Sequence, residues 1–201
     1  MDYYTGAAAP ALLGTLPVTD DGVDAVRETL RTMVAIVRKY KSDAGTINVA
    51  RQIIRSSGIT DTRKQKLQTI QAIQSFVRDH IVYVADPRGI ELLQTPPQTL
   101  KLGTGDCDDK AILTATLLET LGFTLRFLAV GGNGKEWSNG GDDWDSMDLP
   151  PYSHVLAQVQ YAGAPYSNLW GGQWMCLETI VPGANAGWCP SGIQVMMVAH
   201  I

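Results

Sequence analysis

The sequence has few of the residues that define several common classes of protein. It contains only three cysteines in 201 residues, Cys107, Cys176 and Cys189, and they form no Cys-x-x-C pair. We therefore expect neither a disulfide framework nor a zinc knuckle, and interpret Cys176 and Cys189 as core residues. No apolar run approaches the roughly 18 residues that a transmembrane helix needs, so no membrane span is predicted.

Basic residues are missing from the C-terminal third of the chain. All sixteen Lys and Arg lie at or before Lys135, whereas residues 136–201 contain six acidic residues and no Lys or Arg. This acidic part argues against nucleic acid as a partner. Residues 1–19 begin with an apolar, Pro-containing stretch that has Asp2 where a secretory signal would be positive, so we interpret them as a flexible N-terminal arm.

What is present is a change of hydrophobic pattern along the chain. Apolar residues recur at helical spacing over Asp20–Lys41, over Ile47–Ile54 and from Thr62, where Thr62-Arg-Lys-Gln65 fits a capping box. A β-rich segment, a helix and four strands follow, at Ile81–Val84, Asp106–Leu121, Phe123–Val130, His154–Tyr161, Gln173–Ile180 and Ile193–Val198. This order predicts a single α+β domain over residues 20–201, in which residues 20–80 are helical and residues 81–201 form the core with an antiparallel sheet.

Cys107 is the candidate nucleophile. It follows Gly103, Gly105 and Asp106 and opens a predicted helix. The first turn of a helix presents unpaired N–H groups and the positive end of the helix dipole, which favour a thiolate and lower the pKa of a cysteine. The backbone N–H of Cys107 is also a candidate oxyanion donor. The alternative is a buried structural cysteine at a helix start.

His154 and Glu178 are the candidate base and its partner. His154 opens an alternating strand after a long loop, and Glu178 is the only acidic residue after Asp148. A carboxylate in an apolar strand is costly to bury unless it is paired. The midpoint between the two residues falls at Tyr166, within a turn-like stretch, so a hairpin would place their side chains opposite or nearly opposite each other. The alternatives are a structural histidine and a glutamate held by backbone groups, Tyr or Trp.

Three short motifs resemble those of the transglutaminase-like superfamily. Gly105-Asp-Cys-Asp-Asp-Lys-Ala111 resembles its Cys motif, Ser153-His154-Val155 its His motif, and Leu177-Glu-Thr179 its third motif, where Asp is more usual. The resemblance implies a papain-like α+β core, with the Cys on a helix and the His and acid on neighbouring strands. Members from phages and prophages are the most similar.

The resemblance implies acyl transfer through a thioester, with no cofactor and a peptide or protein substrate. Three hypotheses stay open: a cysteine peptidase or amidase, a true transglutaminase that crosslinks through an amine, and a non-catalytic phage virion or assembly protein that keeps the fold. The third would bind other phage structural proteins. A cytoplasmic or virion-associated location is expected under these hypotheses.

Two further sites are predicted around the three central residues. Gln98 precedes Cys107 by nine residues and is a candidate oxyanion side chain, as papain-like enzymes place a Gln before the Cys. The segment from Gly131 to Pro151 is rich in Gly and Asp and carries Trp137 and Trp144, which could bind a basic or amine-bearing substrate as part of a lid. A solvated loop is the alternative. No Asp-x-Asp-x-Asp-Gly loop is present, so no metal is predicted.

Overall fold

The protein is described by a computed structural model that covers residues 15–17, 22–87, 90–132, 153–162, 173–191 and 193–201. Five helices and eight strands lie in these ranges. The helices are α1 (Gly22–Tyr40), α2 (Ala44–Ser56), α3 (Lys66–His80), α4 (Pro96–Leu102) and α5 (Cys107–Glu119). The strands are β1 (Thr15–Pro17), β2 (Val82–Tyr83), β3 (Ile90–Leu92), β4 (Thr104–Gly105), β5 (Leu125–Gly132), β6 (His154–Gln160), β7 (Trp174–Leu177) and β8 (Ile193–His200).

The three predicted N-terminal helices are confirmed, but the third begins later than expected. Helix α3 starts at Lys66 and not at Thr62. The Gln65 side chain accepts hydrogen bonds from the backbone N–H groups of Thr60 and Asp61, so the predicted capping box does not form. None of the described helices is long and apolar enough to cross a bilayer.

The sheet confirms the predicted α+β class. Its strands are antiparallel in the order β7-β6-β5-β8. Helix α5 packs against β6, while α1 and α3 pack against α5. Every residue of α5 from Asp108 to Leu118 is buried. The helix that carries the candidate nucleophile is therefore enclosed by the sheet on one side and by the N-terminal helices on the other.

Two short strand pairs lie beside this core. Residues 15–17, which were predicted to belong to a flexible arm, form β1 and pair with β3. Strand β2 runs parallel to β4 and hydrogen-bonds to it. Since β4 is followed directly by Asp106 and Cys107, this pair fixes the chain just before α5 begins.

A disulfide joins Cys176 to Cys189, which was not predicted from the sequence; Cys176 is fully buried in a core cluster and Cys189 packs against it, as their interpretation as core residues predicted. Their Cα atoms lie 5.5 Å apart. Gly183 and Gly187 have positive φ angles of 75° and 97°, a conformation that turns the chain back and that glycine adopts without strain. The N–H of Gly187 then donates to the carbonyl of Cys176, which brings the two thiols together.

Candidate active site

Cys107 occupies the first helical position of α5, held by a reciprocal cap. The Asp106 carboxylate accepts the N–H groups of Asp108 and Asp109, and the Asp109 carboxylate accepts the N–H of Asp106. A Cβ at Gly105 would lie 2.6 Å from the Cβ of Asp109, so this close approach requires glycine. Within the described ranges the N–H of Cys107 has no acceptor, and its role as an oxyanion donor stays a prediction.

His154 and Glu178 form a buried pair. Nε2 of His154 lies 2.7 Å from Oε2 of Glu178, and Glu178 is 1% exposed. The hairpin register pairs Ala157 with Leu177, which centres the hairpin one residue beyond the predicted Tyr166. Glu178 therefore lies just past the end of β7, and its side chain reaches the imidazole diagonally and not from directly opposite.

The charge of Glu178 is stabilised despite its burial. Its second carboxylate oxygen, Oε1, accepts the N–H of Ile180 at 2.7 Å. Burial opposes ionisation, but the neighbouring His154 and the hydrogen bonds to the carboxylate outweigh it and lower the pKa of Glu178 below its ordinary value. The acid is thus an anion at neutral pH, which is the state that orients an imidazole.

The thiol of Cys107 lies beside the start of β6. Helix α5 packs against β6, and the backbone N–H of Val155, the residue next to His154, is near enough to the Cys107 sulfur to oppose part of the rise in its pKa. The structure therefore brings the beginning of α5 and the beginning of β6 together, at the point where the His154–Glu178 pair is formed. The Cys107 residue retains partial exposure.

The prediction that Cys107 is an easily ionised thiol was wrong. Burial raises the pKa of Cys107 well above its ordinary value, and the neighbouring Asp108 and Asp106 raise it further. The thiol also lies 3.5 Å from Oδ1 of Asp108, to which it donates. The helix N-terminus favours negative charge on the Cys107 sulfur only over a short distance. Burial by the surrounding sheet and the nearby acidic side chains oppose this charge more strongly. The resting thiol is neutral.

An acidic cluster lies next to the thiol, and the buried aspartates around it hold protons unusually well. Oxygen atoms of Asp86, Glu91 and Asp106 lie within 4.8 Å of one another. Burial raises the pKa of Asp106 to about 8 and that of Asp109 to about 7, while burial and a hydrogen bond with Glu91 raise the pKa of Asp108 well above its usual range. These oxygens are the kind of donor that Ca²⁺ or Mg²⁺ prefers, but an acidic cluster alone does not establish a metal site.

The other predicted site residues, Gln98, Trp137 and Trp144, stay predictions, since no hydrogen bond between described residues joins Gln98 to Cys107. Gln98 lies on α4, where its backbone N–H donates to the carbonyl of Thr95. Its side-chain oxygen is buried and has no partner among the described residues. Trp137 and Trp144 lie outside the described residues, as does most of the predicted lid.

Two buried polar residues beside the site were missed from the sequence. Lys110 is 2% exposed and donates from Nζ to the carbonyl of Ile81 at 2.7 Å. Gln74 is 1% exposed and donates from Nε2 to the carbonyls of Glu178 and Ala184. The signal was available: Lys110 follows Cys107 by three residues on a buried helix, and Gln74 lies at helical spacing within an apolar stripe.

Comparison with known proteins identifies the superfamily of the chain through a family profile. A solved structure from Cytophaga hutchinsonii, described as a "Putative Cysteine Protease", is similar to this chain with a TM-score of 0.42 and 14% identity. The match covers 85% of this chain and 55% of that one, so the chain spans about half the length of that protein. No curated protein matched the sequence. The profile of the transglutaminase-like superfamily matches residues 53–190, which include Cys107, His154 and Glu178, and the chain therefore belongs to that superfamily.

Proposed function

We propose that this protein is a thiol-dependent acyl-transfer enzyme, most simply a cysteine peptidase or amidase. Cys107 is the nucleophile, His154 the general base and acid, and Glu178 the group that orients His154. The observation that carries the proposal is the buried 2.7 Å contact between His154 Nε2 and Glu178, at the start of the strand that packs against the helix of Cys107. Membership of the superfamily supports a thiol-dependent enzyme but not this particular triad.

The Glu178 contact supports Nδ1 of His154 as the base. An ionised carboxylate only accepts hydrogen bonds, so Nε2 of a neutral His154 carries the proton and donates it to Glu178. Nδ1 then carries the lone pair and is the atom that takes the thiol proton. When Nδ1 is protonated, Glu178 stabilises the resulting imidazolium.

The reaction follows from these roles. Nδ1 removes the proton from Cys107 as the sulfur attacks a carboxamide or peptide carbonyl, and the oxyanion is bound by the N–H of Cys107. The imidazolium gives its proton to the leaving amine as the C–N bond breaks, which leaves a thioester. Water, deprotonated by the same nitrogen, attacks the thioester, and its proton returns to the sulfur as the acid is released. With an amine in place of water, the same steps crosslink and do not hydrolyse.

The raised pKa of the thiol makes this general-base catalysis. Because the resting sulfur is neutral, the proton must leave during attack, and not before it as in a stable thiolate–imidazolium pair. The rate should therefore depend strongly on His154 at neutral pH. Because the Cys107 thiol ionises only when a base removes its proton, little reactive thiolate is present at rest, and side reactions of the thiol are limited.

The same raised pKa favours a second candidate, a non-catalytic protein that keeps the fold. A thiol that is hard to ionise is also what an inert cysteine would show. In this second proposal the chain acts by binding a structural partner, such as another component of a phage particle. Cys107→Ala would then leave the biological role intact.

Trapping of the thioester distinguishes these proposals. The protein is incubated with a glutamine-containing peptide, and intact mass spectrometry measures acylation at Cys107. Ammonia release and new peptide termini report hydrolysis, and added dansylcadaverine reports transfer to an amine. We expect a hydroxylamine-sensitive adduct in the wild type, none in Cys107→Ser, and a fall of about 10²-fold or more in the acylation rate of His154→Ala.

Glu178→Gln provides the matched control for the role of the acid. Glutamine has the same length and can still accept the Nε2 proton, but it lacks the charge that stabilises the imidazolium. Its acylation rate should fall while substrate binding is kept. Wild-type protein that forms no adduct and releases neither ammonia nor new termini would refute the enzymatic proposal, and a stable complex with a structural partner would then support the second.

A further inference from the structure

We propose that Gln74 is a positioning residue of this site, which holds the backbone of Glu178 so that its carboxylate stays on His154. This inference rests on the proposed function, since it assigns a role within the same triad. Gln74 lies on α3, in the N-terminal helical part of the chain, and touches neither Cys107 nor His154 by any recorded hydrogen bond within the described residues.

Glu178 needs such a support because strand pairing ends before it. The last paired residues of β6 and β7 are Ala157 and Leu177, so the ladder does not fix the carbonyl of Glu178. Nε2 of Gln74 donates to that carbonyl at 2.5 Å and to the carbonyl of Ala184 at 2.8 Å. One side-chain amide thus binds the backbone at Glu178 and at Ala184, the two ends of the segment that carries the acid.

The orientation of the Gln74 amide is set by these two contacts. Both partners are carbonyl oxygens, which only accept hydrogen bonds, so the nitrogen must face them. The side-chain oxygen is consequently buried and has no partner among the described residues. A buried acceptor without a partner, such as this Gln74 oxygen, costs free energy of folding. A methionine would fill the same volume without a buried unpaired oxygen of its own. The amide is therefore interpreted as a requirement of the acid-bearing segment and not of the core.

The rest of α3 forms a frame around this contact. Arg78, one turn after Gln74, donates from a guanidinium nitrogen to the same Ala184 carbonyl at 2.5 Å. Lys110, on the helix of Cys107, donates to the carbonyl of Ile81 just past the end of α3. Helix α3 therefore links the helix that carries the nucleophile to the segment that carries the acid. In metal sites, removal of residues that orient the ligands from behind typically lowers metal affinity or activity 10- to 100-fold, which sets the scale expected for Gln74.

Gln74→Met tests the proposal, with Thr69→Val as the matched control. Methionine keeps the volume and unbranched shape of glutamine but cannot donate. Thr69 is equally buried on the same helix and donates only to the carbonyl of Gln65 within it. Two readouts are taken on the full chain: the acylation rate of Cys107 as a function of peptide concentration, and the downfield proton resonance of His154 Nε2–H bonded to Glu178.

We expect Gln74→Met to lower kcat for acylation by about tenfold or more with little change in KM, and to broaden or remove the His154 resonance. Thr69→Val should lower stability without moving either readout. Gln74→Met with a rate within about twofold of wild type and an intact resonance would overturn the inference. If Gln74→Met does not fold, Gln74→Asn replaces it, because its amide is one methylene too short to bind both carbonyls.

The two readouts separate this inference from the proposed function. If the wild type shows the resonance and Gln74→Met removes it, the positioning role is supported. If the same wild type forms no acyl adduct, the enzymatic proposal is refuted. An active wild type whose rate and resonance survive in Gln74→Met refutes the positioning role alone. A wild type without the resonance overturns the inference, because there is then no pair for Gln74 to hold.

Discussion

Removal of the Cys176–Cys189 disulfide should destabilise the fold by an amount that its loop length sets. The two cysteines are 13 positions apart in the sequence. Closing a loop of this size lowers the entropy of the unfolded chain enough to stabilise the folded state by about 3 kcal/mol. Because Cys176 is fully buried on β7, replacement of both cysteines by alanine avoids burying a hydroxyl group. We expect the free energy of unfolding of Cys176→Ala/Cys189→Ala to fall by about 3 kcal/mol.

Urea unfolding with and without a reductant measures this effect. With an m-value of about 2 kcal/mol/M, the midpoint should fall by about 1.5 M in the double variant. Reductant should shift the wild type by a similar amount and leave the variant unchanged. Alkylation of the denatured, unreduced wild type should label Cys107 alone. Labelling at all three cysteines, or a wild-type midpoint insensitive to reductant, would refute the reasoning.

Two further predictions follow from buried ionisable groups. Folded-state pKa values of about 8 for Asp106 and about 7 for Asp109 exceed those of the unfolded chain, so the folded protein binds more protons and the free energy of unfolding should fall as pH rises from about 5 to about 8. Measurement of Tm across this pH range checks the predicted fall in stability, and a Tm that rises with pH would contradict it. Asp109→Asn should make Tm depend less on pH. Lys110→Met should cost about 1–3 kcal/mol, because it leaves the carbonyl of Ile81 unpaired. Burial lowers the pKa of Lys110 to about 8, so the wild type should gain stability between about pH 8 and 10 and the variant should not; identical alkaline denaturation profiles would contradict this.

Much of the fold and the His154–Glu178 contact could be predicted because they depend on patterns that are local or nearly so. Helical periodicity located α1 to α3, and alternation located β6 and β7. The contact between His154 and Glu178 was predicted because a lone acid in an apolar strand needs a partner, and the hairpin centre was wrong by one residue only. The predicted strand also extended to Ile180, whereas β7 ends at Leu177, so Glu178 lies just beyond its end.

The features that were missed depend on the three-dimensional surroundings of a residue. The ionisation of Cys107 was predicted from its helix position, but the burial of its sulfur is set by the sheet, the helices and the neighbouring acids. The disulfide depends on two turns that return the chain to Cys176. Gln74 hydrogen-bonds to a residue more than a hundred positions further along the chain. Composition and spacing carry little information about contacts between residues that are far apart in the sequence.

The Cys176–Cys189 disulfide places the thiol of Cys107 under a chemical constraint. Disulfides persist where the surroundings are oxidising, and the same surroundings convert ionised thiols into sulfenic and higher acids. If Cys107 is to stay reduced in the surroundings that keep Cys176 and Cys189 joined, its thiol must react slowly with oxidants. A raised thiol pKa provides this, because oxidants react with thiolate, and a base that acts only when substrate is in place would confine its reactivity to the moment of use.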